Sequence, residues 1–212
     1  MDTAHKVARA LIEIGAVGFT VEKPITFVSG IVAPTYVDNR KFPFHPAQWR
    51  EVLQGFKELI ESNNLNPDVI AGVEAAGIPH SAALGFLLEK PSVFIRKKPK
   101  DHGTKKRVEG GNVSGKRVLL IEDLVTTGGS SLNAVQALKD EGAEVPAAAV
   151  IVTYGFPESV QAFNDANVKL YALTSFPVIL EEAIALGKIS EADAAEVTAW
   201  TKDPHGWGTG RV

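Results

Sequence analysis

The spacing of apolar residues changes character along the chain. Within residues 4–15, Val7, Ala8, Leu11, Ile12 and Ile14 fall on a helical stripe, with Thr3 as the expected N-cap. Residues 27–41 carry glycine, proline and β-branched residues without a helical period and predict irregular strand and turn. Pro46 suits the first position of a helix whose buried stripe is Trp49, Val52, Leu53, Phe56, Leu59 and Ile60. Short apolar runs then alternate with helical segments. Strands are predicted over 68–73, 92–96, 117–121, 147–154 and 169–173, and helices over 77–89, 129–141 and 159–166. Such alternation predicts an α/β fold with a mostly parallel central sheet flanked by helices on both faces. Residues 178–200 read as two further helices and 203–212 as a loose tail.

Composition narrows the class. A chain of 212 residues with 45% hydrophobic and 22% charged content suits one soluble globular domain, with room for a small appended subdomain. It contains no cysteine, which removes disulfides, thiolate metal sites and cysteine catalysis and favours the cytoplasm. The first residues mix charged with apolar side chains and lack a signal-peptide core, and no run reaches the about 18 apolar residues of a membrane span. The net charge is −3, yet residues 96–107 alone carry +6, leaving −9 for the rest. One basic segment on an acidic protein argues against a nucleic-acid partner and for a small polyanion.

Three connections at the expected carboxyl ends of strands carry unusual chemistry, and ligands in open α/β sheets sit there. The first spans 118–130, VLLIEDLVTTGGS. Apolar residues lead to adjacent acids, Glu122 and Asp123, and then to Leu124, Val125, Thr126, Thr127, Gly128, Gly129 and Ser130. Backbone N–H groups of 127–130 and the hydroxyls of Thr126, Thr127 and Ser130 suit an anion at the start of the next helix. The two acids suit sugar hydroxyls or Mg²⁺ held through water. The plain alternative is an ordinary strand–turn–helix link with solvated acids, but composition, order and context agree on a sugar phosphate. Neither a Walker A loop nor a G-x-G-x-x-G fingerprint is present. The second connection, 71–79 (AGVEAAGIP), admits a second anion site or simply close helix–strand packing. The third, 96–111 (RKKPKDHGTKKRVEGG), runs 16 residues and reads as a basic lid over a polyphosphate or a solvated charged loop.

The first motif resembles the phosphoribosyl-pyrophosphate motif of type I phosphoribosyltransferases. The basic segment resembles the flexible loop of the orotate phosphoribosyltransferase family, and FVSGIVAPTYVDNR, 27–40, resembles that family's N-terminal substrate segment. With AGVEAAGIP between them, the matching segments occur in the family's order from residue 27 to about 155. The resemblance implies a type I phosphoribosyltransferase fold with a core of about 46–174 and a hood from about 1–45 and 175–205. It implies an enzyme of pyrimidine (UMP) biosynthesis that makes orotidine 5′-monophosphate and pyrophosphate from orotate and phosphoribosyl pyrophosphate with Mg²⁺. Glu122 and Asp123 would hold the ribose hydroxyls and, through water and ligand, the metal. Residues Leu124 to Ser130 would line the ribose 5-phosphate. Arg96, Lys97, Lys100 and His102 would engage pyrophosphate, with Lys100, His102 and Asp123 as the catalytic set. Ser29, Tyr36, Arg40 and Thr126 would meet orotate. The loop would serve the neighbouring subunit's site, which implies a homodimer.

Two positions depart from versions of the family. Val28 stands where some members carry lysine before the SG pair, and Asn133 where some carry an orotate-contacting arginine. Both bear on the base half. The alternatives are transfer to another base or a non-catalytic phosphoribosyl-pyrophosphate sensor. Lys105, Lys106 and Arg107 have no role in this reading. Trp49, Trp200 and Trp207 read as packing or tail residues and His45 as the approach to the Pro46 helix, while His5, His80 and His205 lack metal-site spacing.

Overall fold

A computed structural model describes residues 1–99 and 106–210. Its centre is a six-stranded sheet with the order β10-β9-β8-β5-β6-β7. The strands are β5 (Val69–Val73), β6 (Ser92–Ile95), β7 (Val108–Glu109), β8 (Arg117–Val125), β9 (Glu144–Thr153) and β10 (Lys169–Ser175). All pairs are parallel except β6 with β7, which is antiparallel. The order of addition reverses between β5 and β8, which opens a crevice at their carboxyl ends.

The apolar runs are continuous because both faces are covered. In β8 and β9, Leu119, Ile121, Ala147, Ala149 and Ile151 pack on one side. Val118, Leu120, Ala148 and Val150 pack on the other, following the two-residue period of a strand. Helices α1 (Thr3–Glu13), α2 (Pro46–Ser62), α3 (Gly77–Leu87) and α6 (Phe176–Ala185) contribute to the first layer. Helices α4 (Gly129–Asp140) and α5 (Pro157–Asp165) contribute to the second. Gly72 and Gly77 permit the tight seat of α3. A Cβ on Gly77 would lie 2.6 Å from the Ile121 carbonyl oxygen, and one on Gly72 would lie 2.7 Å from that of Gly77. The small residues of 71–79 therefore meet a packing requirement.

Several boundaries differ from the sequence expectation. Asp2, not Thr3, caps α1: its carboxylate accepts the His5 N–H at 3.0 Å. Strand β8 continues through Glu122 and Asp123 to Val125, because β9 runs on beside it and pairs with Glu122 and Leu124. α5 begins two residues early, at Pro157, whose fixed φ suits the first turn. Inside the expected polar stretch, β7 adds an antiparallel edge. The irregular 27–41 region contributes to two short ribbons and a turn. β1 (Val17–Phe19) pairs with β4 (Thr35–Val37), β2 (Ile25–Thr26) pairs with β3 (Val32–Ala33), and a 3-10 helix follows at Asn39–Phe44.

A third apolar cluster joins the ribbons to α6 and to α7 (Glu191–Lys202). Trp200 of α7 is fully buried at its centre, edge-on to Tyr154, Phe156 and Phe176 at 5.4, 5.7 and 5.6 Å between ring centroids. Its indole N–H donates to the Val32 carbonyl at 3.0 Å and so pins β3. Trp200→Ala removes the packing and that bond together, and the expected loss is about 3–5 kcal/mol by urea denaturation.

Candidate active site

A cleft of about 640 Å³ opens at the carboxyl end of β8. One wall is the run 124–131 from β8 into α4; the other is the ribbon segment with Phe27, Ser29, Tyr36 and Arg40. A larger depression of about 880 Å³ lies at the opposite end of the sheet, around Gly115, Gly142 and Lys169.

The phosphate-loop wall is local in origin. Gly128 sits at the N-cap of α4 with φ +88°, a left-handed conformation that glycine adopts without steric cost. A Cβ there would also press to 3.0 Å from the Phe163 ring. The turn aims the first N–H groups of a twelve-residue helix at the cleft, and these have no partners within the helix. Thr126, Thr127, Gly128, Gly129 and Ser130 all line it.

Glu122 and Asp123 immediately precede this wall on β8 and do not themselves line the cleft. Glu122 is buried and its carboxylate accepts the Asp123 backbone N–H at 3.1 Å. Burial pushes the Glu122 carboxyl well above the usual range, and the Asp123 charge acts in the same direction. Burial also raises Asp123, against hydrogen bonds from the Glu122 side chain and the backbone. The position of Asp123 is set from across the fold. Asn39, fully buried in the 3-10 helix, donates from its side chain to the Asp123 carbonyl at 3.0 Å. His80 of α3 is also fully buried and takes the Trp49 indole N–H at 2.9 Å on Nδ1. Burial lowers its pKa to about 4, against a hydrogen bond to the Asn39 backbone. Neutral His80 also meets the Phe42 ring of the same 3-10 helix edge-on at 6.3 Å between centroids. No sequence signal marks Asn39 or His80, since their partners lie far along the chain.

The ribbon wall brings the expected base-half residues together. Tyr36 pairs with Gly18, where a side chain would collide with its ring. Arg40 donates from Nε to Asp38 at 2.6 Å and keeps an exposed guanidinium at the mouth. Ser29 lies on an exposed turn. Phe27 and Tyr154 complete the lining and are additions to the expected set.

The basic segment is anchored at both ends. The Lys97 backbone N–H donates to Glu74 at 2.8 Å, and the Lys97 charge reaches Glu122. Arg96 is turned toward Glu109, 3.7 Å away, rather than lining the cleft. Its backbone N–H donates to the Arg107 carbonyl at 2.9 Å, and Arg107 Nε donates to the Arg96 carbonyl at 2.8 Å. Arg107 also donates to the Asn133 side-chain oxygen at 2.6 Å, and Lys106 pairs with Glu141 at 3.7 Å. Lys106 and Arg107 therefore act as anchors, and Asn133 serves Arg107. Lys100, His102 and Lys105 lie outside the described residues.

The raised Glu122 carboxyl has a stability consequence. The folded chain holds that proton more tightly than the unfolded chain, so stability falls as pH rises from about 4.5 toward the raised folded value. Glu122→Gln removes this term while keeping the oxygen that accepts the Asp123 N–H. Its melting temperature is expected to exceed that of the unsubstituted chain at pH 8, with the gap closing near pH 4. Scanning calorimetry at the two pH values checks this.

Comparison with known proteins matches this arrangement. The phosphoribosyl transferase domain family matches residues 45–172. The orotate phosphoribosyltransferase of Bacillus caldolyticus is 42% identical over 205 residues, covering 97% of this chain and 99% of the relative. That of Coxiella burnetii is 38% identical over 207 residues, covering 98% and 99%. Among solved structures, the Aeropyrum pernix orotate phosphoribosyltransferase superposes with a TM-score of 0.75 at 28% identity, covering 87% of this chain and 99% of that one. Leishmania donovani UMP synthase gives 0.80 at 26% identity, covering 94% of this chain and 42% of the longer protein. Near-full-length identity at this level, on a fold with the acid pair running directly into the glycine turn that lines the cleft, settles the relationship: the chain belongs to the orotate phosphoribosyltransferase family.

Proposed function

We propose that the chain transfers the 5-phosphoribosyl group of phosphoribosyl pyrophosphate to orotate, yielding orotidine 5′-monophosphate and pyrophosphate in pyrimidine biosynthesis. The observation that carries this reading is the two-walled cleft, with an anion-binding helix start on one side and the ribbon residues on the other.

In this reading the N–H groups and hydroxyls of 126–130 hold the 5-phosphate, with Leu124 and Val125 setting the approach, and Glu122 and Asp123 accept from the ribose hydroxyls. Ser29, Tyr36, Arg40 and Thr126 meet orotate, with the exposed Arg40 cation suited to its carboxylate. Breaking the bond from C1 to pyrophosphate leaves positive character on the ribose and negative charge on the leaving group. In this reading the acids serve the first and Lys97, Lys100 and His102 the second, while Arg96, expected in the same set, is paired with Glu109 and would join only by leaving it. Lys100 or His102 is the candidate proton donor to the departing oxygen.

Glu122 and Asp123 also suit Mg²⁺. They are hard oxygen donors whose charged forms burial disfavours and a cation would favour, and among the described residues no group of three metal-ligating side chains gathers. They would hold the ion indirectly, through water and ligand oxygens. When bound, the ion offsets charge on the pyrophosphate.

The hood is drawn from about 1–45 and 175–205, as the ribbons, α6 and α7, while α1 within that range packs with the layer over the sheet. We place the enzyme in the cytoplasm as a homodimer whose basic loop reaches the partner's site. A cysteine-free composition and the exposed Phe86 and Leu87 on α3 support this. Among the described residues no helix is long and apolar enough to cross a membrane.

Loss of orotate absorbance with phosphoribosyl pyrophosphate and Mg²⁺ is the expected result, with uracil and hypoxanthine inert in parallel. Turnover of another base without orotate would overturn the reading. Lys100→Ala is expected to lower kcat by about 10²-fold or more, with a far smaller change in the KM for phosphoribosyl pyrophosphate. Mixed dimers of Lys100→Ala and Asp123→Asn chains should regain part of the activity, because one of their two sites is intact. Verified heterodimers that stay inactive would exclude a shared loop.

A further inference from the structure

Tyr154 lies immediately beyond β9, and its backbone N–H donates to the Val125 carbonyl at 3.1 Å, beside the start of the phosphate loop. Its ring is 5% exposed and packed against Phe27, Phe156, Phe176 and Trp200. It nevertheless contributes to the cleft lining. The hydroxyl oxygen is buried and has no hydrogen-bond partner among the described residues. Trp200, the other polar ring in the cluster, spends its N–H on the Val32 carbonyl. Phenylalanine would fill the same space without a stranded hydroxyl, so packing alone does not account for tyrosine here. Burial raises the phenol pKa, so at neutral pH the group is an intact O–H donor.

What covers the ring on the cleft side is lightly held. Phe27, with its centroid 5.5 Å from that of Tyr154, belongs to the turn between β2 and β3, strands of two residues each. The turn is closed by hydrogen bonds from Phe27 N–H to Ile31 and from Gly30 N–H to Phe27, and Val28, Ser29 and Gly30 are exposed. A planar ring entering from the cleft can displace the Phe27 side chain without breaking those backbone bonds.

We propose that Tyr154 is a specificity-determining residue for the base: its hydroxyl donates to a ring carbonyl oxygen of the pyrimidine, and Phe27 moves aside to admit that edge. The inference rests on the orotate-transfer reading. It divides the base half into a charged contact at the mouth, Arg40, and a neutral one at depth, Tyr154.

Tyr154→Phe tests it in the full-length protein by steady-state kinetics and thermal melting. One neutral hydrogen bond to a ligand corresponds to a rise in the orotate KM of about 5- to 10-fold. The KM for phosphoribosyl pyrophosphate should stay within about twofold and the melting temperature should be equal or higher, since the unpaired hydroxyl is gone. An unchanged orotate KM would overturn the proposal. So would a parallel rise in both KM values with a lower melting temperature, which is the signature of a packing role. Wild-type turnover of orotate in the same assay separates the two levels. An active wild type with an insensitive Tyr154→Phe removes Tyr154 alone, whereas an inactive wild type removes the reaction and this inference together.

Discussion

Two adjacent carboxylates are drawn into the protein at the end of β8, where the strand order reverses, and much of the local structure holds them there. Glu122 pairs along β9 opposite Val150, with few ways to reach water. Among the described residues the Lys97 charge acts on it only as a minor influence, and burial drives its carboxyl upward. A group held in this state is poised to gain from a cation or from hydroxyl donors, because either one relieves a desolvation already incurred. Burial of Glu122 thus costs the folded protein stability wherever that carboxyl would otherwise ionise.

The bracing around the pair follows from that constraint. Gly77 lets α3 approach the Ile121 carbonyl, one residue before Glu122, so the helix seats directly behind the acids. The same helix carries His80, which receives the Trp49 N–H from α2 and lies against Asn39, whose amide holds the Asp123 carbonyl. Three elements distant in sequence converge on one peptide unit. Neutral histidine suits this place: burial disfavours a charge on it.

The parts legible in the sequence were those whose cause is local. Parallel strands showed as apolar runs because both faces are buried, and the phosphate loop showed because strand, acids, glycine turn and helix are contiguous. The ribbons showed only as irregular strand and turn over 27–41, and β7 escaped, because strands of two or three residues have no period to detect. Asn39 and Tyr154 escaped for a different reason: their meaning lies in partners, or in missing partners, 84 residues away in one case and across an aromatic cluster in the other. Gly72 and Gly77 were visible as small residues, but only three-dimensional proximity shows that packing requires them.

The basic segment shows how a charge count can mislead in detail while being right in sum. Of its cations, Arg96 faces Glu109, Lys106 faces Glu141, and Arg107 is committed to the Arg96 carbonyl and to Asn133. These three fasten the two ends of the segment to β7 and α4 instead of adding to a diffuse positive field. Fastening the ends matters for a loop of this length, because the entropy of closing it is lost once, at the anchors, and not again at each encounter with a ligand. Lys97 is tied through its backbone to Glu74, and its charge acts on Glu122. The division is physical: cations with carboxylate or carbonyl partners hold the segment, and the one beside Glu122 helps to set the potential of the site.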